Sequence, residues 1–289
     1  MLFRSVKSMA EKLKYFVNGQ FRESKTDKWY DLHNPSTGEI TGQAPCCTND
    51  EVLEAIAAAK AAYPGWSATP AIKRAQILYR VRELILERMD ELTMSVAKEN
   101  GKVWAESEGD VLKAKEGTEL ATQVPSLMMG ESIMDASRGY DTVKYREPLG
   151  VFAGIVPVNF PAMIPFGWMA PTCIATGNTL VLKAASLTPK TAMLFAQLYK
   201  DAGVPDGVIN VVTCSRNEIN TILEHPDVKG ITFVGSTPVG LKIYEKAAAN
   251  GKRCQALCQA KNHALVMEDC ALERTVAGVI NSAFGCAGQ

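Results

Sequence analysis

Ile231-Thr232-Phe233-Val234-Gly235-Ser236-Thr237-Pro238-Val239-Gly240 reads as one unit: a short apolar strand, a tight glycine turn and the first turn of a helix. Backbone N–H groups at a helix start lack partners inside the helix, and the Ser236 and Thr237 hydroxyls add further donors for an anion. Leu241 stands where a phosphate-binding P-loop needs lysine, and the spacing is not the usual dinucleotide fingerprint. The unit is therefore either an anion site or an ordinary strand-to-helix turn. Outward from it the same alternation recurs. Short Val/Ile-rich runs over 151–156, 178–182, 208–212 and 230–234 alternate with helical patterns over 188–202 and 239–249. Strands this apolar need cover on both faces, so the pattern predicts an α/β fold with a parallel sheet and helices on both of its faces.

Upstream the reading changes. Tyr15-Phe16-Val17, the turn dipeptide Asn18-Gly19 and Gln20-Phe21 predict a hairpin, and Asn34-Pro35-Ser36-Thr37-Gly38 predicts a turn. Thr48-Asn49-Asp50-Glu51 is a capping box that opens a helix, with Pro64-Gly65 as its expected end. The stripe from Ile72 through Leu78, Ile85 and Leu92 predicts one long surface helix, which Gly101 interrupts, and a third helix follows from Trp104 to about Leu120. Residues 141–146 alternate like an exposed strand. These readings divide the chain into 1–139, the strand region 140–150, and a core over 151–289.

The 289 residues carry 31 basic and 31 acidic side chains, and 47% are hydrophobic. That permits one large or two medium domains with a real core. Zero net charge gives no electrostatic case for a nucleic-acid partner, and no apolar run is long enough for a membrane span. Residues 1–14 are basic but too short and broken for a signal peptide, and Met9 could serve as a second start. Eight cysteines lack disulfide-framework spacing, so free thiols in a reducing, cytosol-like setting are expected. His33, His225 and His263 are far apart, and no zinc spacing is present, so no metal is expected.

Two residues stand out chemically. Lys183 ends an apolar strand at the sheet edge where ligands bind, and it is either a ligand cation or a lysine leaning off a strand end. Asn159 lies between Pro157 and Pro161, and its amide either faces a developing oxyanion or caps a turn.

Taken in order, Glu99-Asn100-Gly101-Lys102, Arg146-Glu147-Pro148-Leu149-Gly150-Val151, Pro157-Val158-Asn159-Phe160-Pro161, Gly177-Asn178-Thr179 with Lys183, the run from Gly203 to Asn210, Phe233-Val234-Gly235-Ser236-Thr237 and Gly288-Gln289 resemble the aldehyde dehydrogenase superfamily. The likeness covers nearly the whole chain. The run from Pro125 to Glu131 and Ala260-Lys261-Asn262-His263 are similar to the methylmalonate/malonate semialdehyde dehydrogenases, which acylate coenzyme A. The resemblance implies a Rossmann-type cofactor domain and part of a β-hairpin oligomerisation element, which the strand at 140–150 would supply. It also implies NAD as cofactor, with Val156, Val158, Lys183, Ser186, Leu187, Gly235, Ser236 and Cys258 around it. Coenzyme A is the implied co-substrate, and the implied assembly is a homo-oligomer, a tetramer at full length.

In the implied reaction a cysteine thiolate attacks the aldehyde, the Asn159 amide stabilises the oxyanion, and hydride transfer leaves a thioester. Most family members hydrolyse that thioester with a glutamate base. Leu257 occupies the matching position, which favours acyl transfer to a thiol over water. Ser186 replaces a glutamate that repels a ribose phosphate, so NADP remains open beside NAD. Lys113 stands where the subgroup has an arginine for the substrate carboxylate, and the plain alternative is a solvated helix lysine. Gln259 replaces a loop glycine. The matched nucleophilic cysteine falls beyond Gln289 and Cys286 is no substitute, so the chain is expected to be an N-terminal part without dehydrogenase activity of its own. A catalytically dead nucleotide-binding remnant and a non-acylating enzyme are the alternatives. A bacterial cytoplasm is the expected location, or the mitochondrial matrix in a eukaryote.

Overall fold

The computed structural model describes residues 11–260 and 262–288. Residues 1–10, Lys261 and Gln289 lie outside it, and with them part of two of the motifs above.

The chain opens with the hairpin β1 (Tyr15–Val17) and β2 (Gln20–Arg22), turning through Asn18 and Gly19 at φ 49° and 71°. A second pair follows, β3 (Trp29–His33) with β4 (Ile40–Pro45). Four long helices come next: α1 (Asn49–Ser67), α2 (Ala71–Glu87), α3 (Met89–Asn100) and α4 (Trp104–Ala121). The capping box at Thr48 and Glu51 is formed. Gly101 ends α3 in the left-handed conformation at φ 82°, which costs a glycine little. A short α5 (Val124–Leu127) leads into the hairpin β5 (Ser132–Ser137) and β6 (Tyr140–Val143).

From β7 (Val151–Ile155) the chain alternates. A π-helix (Ile164–Met169) runs into α6 (Ala170–Ala175), followed by β8 (Thr179–Lys183), α7 (Lys190–Asp201), β9 (Ile209–Val212) and α8 (Arg216–Glu224). Then come β10 (Val228–Val234), α9 (Thr237–Ala249), β11 (Arg253–Leu257) and α10 (Leu272–Phe284). The main sheet has seven strands in the order β11-β10-β7-β8-β9-β1-β2. The first five are mutually parallel, while β1 joins antiparallel at β9.

Strand alternation divides the core in two. Leu180 and Leu182 of β8, with Ile209 and Val211 of β9, pack under α2, α4, α6 and α7. Val181, Val212, Ile231 and Phe233 face the other way, with α1, Ile222 and Leu223 of α8 and Ile243 of α9. The α/β class with helices on both faces is what the sequence predicts.

Three expectations need correction. Pro64 does not end α1, which continues to Ser67. Proline removes a single helical N–H bond, and Trp66 in the last turn is buried, its Nε1 donating to Ile174 O at 3.0 Å. The single long helix is two, because the backbone breaks at Arg88 (φ −109°, ψ 21°). The stripe hides that break, since Leu78, Ile85 and Leu92 all enter one core. Finally, the boundary at 139/140 falls inside the turn of the β5–β6 hairpin, so the exposed element begins at Ser132. Sequence reading also passed over the π-helix, α8, β11 and α10. Ser215-Arg216-Asn217-Glu218 is a formed capping box and was a usable signal for α8.

Helix α4 crosses the π-helix at glycines. A Cβ on Gly117 would lie 2.0 Å from the Gly167 carbonyl oxygen, and one on Gly167 would lie 2.9 Å from Lys113 O. Gly109, on the same helix, has open space. We expect Gly117→Ala to lower unfolding free energy by about 2–3 kcal/mol, as backbone overpacking does. Gly109→Ala should raise it by about 0.5–1 kcal/mol. Urea titration of the two variants checks both signs.

Candidate functional site

The carboxyl ends of the parallel strands collect the candidate residues at one edge. The strand order reverses at β7, which pairs with β10 on one side and β8 on the other. At such a switch the loops leaving adjacent strands diverge and open a crevice. The loops are tied to one another by hydrogen bonds. Thr188 Oγ1 donates to Val158 O at 3.4 Å, joining the loop after β7 to the turn after β8. Gly235 N donates to Leu257 O at 3.1 Å, joining the ends of β10 and β11.

On the α8/α9 face a cleft of about 790 Å³ opens between those helices. Its floor holds Ile155, Lys183 and Cys214, and Ile219, Leu223, Val239 and Ile243 form apolar walls. This size and mixture suit a small-molecule or cofactor site. Lys183 shares its side of β8 with Val181, so strand parity puts its ammonium in this cleft. Among the described residues it has no ion-pair partner, and burial lowers its pKa. Cys214 beside it is pushed up to about 12 by burial, so it remains a thiol.

Gly235 and Ser236 form the turn into α9, where Ser236 is the N-cap and makes no side-chain cap bond. Close packing explains the glycines here. A Cβ on Gly235 would meet the Phe233 ring at 2.5 Å, and one on Gly240 would meet Cys258 Sγ at 2.4 Å. Cys258 thus lies against the first turns of α9. The Val156 side chain goes elsewhere: it is buried in the core on the opposite face of the sheet, leaving only its backbone for a ligand. Val158, Ser186 and Leu187 occupy the neighbouring loops, and Leu187 is exposed.

A second cleft of about 420 Å³ lies on the other face of the sheet. Lys113, Glu116, Gly117 and Leu120 of α4, Trp168 of the π-helix, Thr232 and Val234 of β10, and Gln255 and Leu257 of β11 line it. Sequence reading named Lys113 and Leu257 separately, and the fold brings them to one cavity. Lys113 is exposed and paired with Glu116 at 2.7 Å, so a substrate carboxylate would have to displace Glu116. Trp168 was not anticipated. It projects from a π-helix, a form common at functional sites, and no sequence periodicity marks it.

The Asn159 loop is held from several sides. Asn100 Nδ2 donates to Val158 O at 2.9 Å, and Met163 N donates to Asp110 Oδ1 at 2.7 Å. The Lys102 ammonium lies 3.7 Å from the Phe160 ring centroid and 3.3 Å from Asp110, in a fully buried ion pair. Within this frame Asn159 Oδ1 is buried and has no hydrogen-bond partner. A buried acceptor without a donor costs free energy; the Nδ2 end of the same amide, not this oxygen, is the group able to donate to an oxyanion. Among the described residues no cluster of three or more His, Cys, Asp or Glu is placed to hold a metal ion, and no helix is long and apolar enough to cross a membrane.

The model of the aldehyde dehydrogenase family matches residues 21–289. Malonate-semialdehyde dehydrogenase 2 of Geobacillus kaustophilus is 47% identical over 277 residues, covering 96% of this chain and 57% of that protein. The human mitochondrial methylmalonate-semialdehyde/malonate-semialdehyde dehydrogenase (acylating) is 44% identical over 285 residues, covering 99% of this chain and 53% of that protein. A crystal structure of a putative methylmalonate-semialdehyde dehydrogenase from Sinorhizobium meliloti, complexed with NAD, superposes with a TM-score of 0.93 at 35% identity, covering 96% of this chain and 57% of that one. The chain thus spans somewhat over half the length of these relatives.

The turn after Lys183 is anchored by Glu99, which is buried and accepts from Lys190 N at 2.8 Å and Thr191 N at 3.1 Å at the start of α7. Burial raises its carboxyl to about 7 despite those donors. The ionised form is therefore disfavoured in the folded state, and folding stability falls as pH rises from about 4.5 to 7. Glu99→Gln imitates the protonated acid. Its stability relative to the parent chain should improve by on the order of 2 kcal/mol between pH 4.5 and 7.5, read by chemical denaturation. A difference that does not change with pH would contradict this.

Proposed function

Because the chain belongs to the aldehyde dehydrogenase family, we propose that it is the cofactor-binding part of an enzyme that oxidises malonate or methylmalonate semialdehyde to an acyl-CoA with a nicotinamide dinucleotide. One observation carries the reading: among the described residues Lys183 has no ion-pair partner at the carboxyl end of β8, inside a cleft whose mouth is the start of α9. A half-buried cation without a partner is costly unless a ligand completes it. Ribose hydroxyls and phosphate oxygens are suitable acceptors; at the α9 start Pro238 has no N–H and Val239 N and Gly240 N donate to Ser236 O, so the Ser236 and Thr237 amides and hydroxyls are the donors left for a pyrophosphate. When bound, the dinucleotide supplies the hydride acceptor.

The chain's own residues would take the following roles. Lys183, Gly235 and Ser236 orient the dinucleotide, with Val156, Val158, Ser186, Leu187 and Cys258 at its margins. Asn159 donates its amide to the oxyanion that forms on the aldehyde carbonyl. The second cleft receives the semialdehyde, whose carboxylate pairs with Lys113 once Glu116 is displaced. Leu257, exposed in that cleft, cannot take a proton from water, and this supports transfer of the acyl group to coenzyme A over hydrolysis. The flanking β5–β6 hairpin, exposed along both strands with Ile133, Met134 and Tyr140 uncovered, is the oligomerisation element in this reading.

Calorimetric titration of the 289-residue chain with NAD and NADP tests the proposal. At least one of the two should saturate a single site, and Lys183→Met should weaken it tenfold or more, about 1.4 kcal/mol. Absence of saturable binding, or unchanged affinity in the variant, would sink the reading.

A further inference from the structure

The two clefts meet at the turn into α9. Val234, at the end of β10, lines the smaller cleft, and Pro238 and Val239, in the first turn of α9, line the larger one. Only Gly235, Ser236 and Thr237 separate them along the chain. A dinucleotide with its adenosine in the larger cleft and its reactive ring at the smaller one must therefore carry its pyrophosphate across this turn. Donors there are few, and the end of β11 already engages two of them. Gly235 N donates to Leu257 O at 3.1 Å, and Thr237 Oγ1 donates to Gln259 Oε1 at 3.4 Å.

Gln259 is the residue that stands in place of a loop glycine, and the roles above leave it unused. It is exposed, yet its side chain reaches back to the turn between the clefts. Two features favour that position. Cys258 before it packs against α9, where a Cβ on Gly240 would meet its Sγ at 2.4 Å. The backbone at Gln259 also accepts a side chain without strain, since among the described residues other than glycine only Asn18, Asp135 and Cys286 have positive φ. The amide oxygen of Gln259 is thus an acceptor on the same hydroxyl that a phosphate oxygen would use. A hydroxyl has one proton to donate, so the two acceptors compete.

We infer that Gln259 is an internal latch on the dinucleotide site: its side-chain carbonyl holds the Thr237 hydroxyl and must release it before a pyrophosphate takes that donor. The inference rests on the cofactor reading above and adds to it a residue that sets the affinity from outside the ligand's own contacts. One exposed neutral hydrogen bond is a small barrier, so the latch weakens binding about threefold to fivefold and does not prevent it.

The test titrates the full 289-residue chain with NAD and with ADP-ribose by calorimetry. Gln259→Met keeps the length of the side chain and removes its acceptor, and it should tighten both ligands about threefold to fivefold. Gln259→Glu gives Thr237 a charged acceptor and sets a negative charge beside the pyrophosphate, and it should weaken both by roughly tenfold or more. In a Thr237→Val chain the hydroxyl is gone, so adding Gln259→Met should change nothing. That cycle separates the hydrogen bond from the bulk of the side chain. Circular dichroism checks that each variant is folded. Saturable NAD binding that Gln259→Met leaves unchanged, or tightens equally in the Thr237→Val chain, overturns the latch and leaves the cofactor reading standing. Binding of neither ligand to the parent chain or to Gln259→Met removes both.

Discussion

Strand β7 is hydrogen-bonded along both edges, to β8 and to β10, and its side chains pack on both faces of the sheet. A strand so placed leaves no backbone group for solvent and no face uncovered, so helices must clothe both sides. The rest of the architecture follows from that constraint. Chain going one way from β7 builds β8 and β9, and chain going the other way builds β10 and β11. The loops at the carboxyl edge must therefore part beside β7, and both clefts begin at that parting: Ile155 ends β7 in one, and Val234 ends β10 in the other.

The two faces of this sheet are chemically unequal. On the α8/α9 side, helices set apart by apolar side chains leave a deep cleft ringed by cations. On the opposite side, glycines at 117 and 167 let α4 and the π-helix approach at backbone distance, leaving a smaller cavity with Lys113, Trp168 and Leu257 around it. Between them the Asn159 loop is fixed by groups from four separate elements, among them the buried Lys102–Asp110 pair. Replacing such a pair with apolar residues often leaves stability unchanged, so its contribution here lies in orientation: it fixes the Phe160 ring and the Met163 amide on either side of Pro161.

Much of the fold was legible from the chain. The parallel strands are short apolar runs bounded by turn residues, and four of the five show to within two residues. The fifth, β11, alternates exposed and half-buried residues, contains Cys254 and stops just before Cys258, and carries little β signal. Helix α8 opens with a readable capping box, but its nine residues are too few for a clear stripe. Pro64 misleads because proline propensity is local, whereas Trp66 and Tyr63 are held from far along the chain, by Ile174 O and Pro148 O. The break at Arg88 leaves no mark in the hydrophobic pattern, since α2 and α3 deliver their apolar residues to one core.

The sequence by itself determined the class of fold, the family, and the residues able to do chemistry: Lys183, Asn159, Gly235 and Ser236, Lys113 and Leu257. Periodicity, glycine turns and motif order are local properties that a chain carries before it folds. Only the tertiary structure decided which of these residues meet. Strand parity sends Lys183 to one face and Leu257 to the other, and it turns the Val156 side chain into the core. Helix packing puts Arg216 and Lys242, 26 residues apart in the chain, around the same cleft as Lys183, and brings Trp168 and Lys113 to one cavity. Such encounters depend on which face each element presents and on what packs against it, and neither is written in a residue's own neighbourhood.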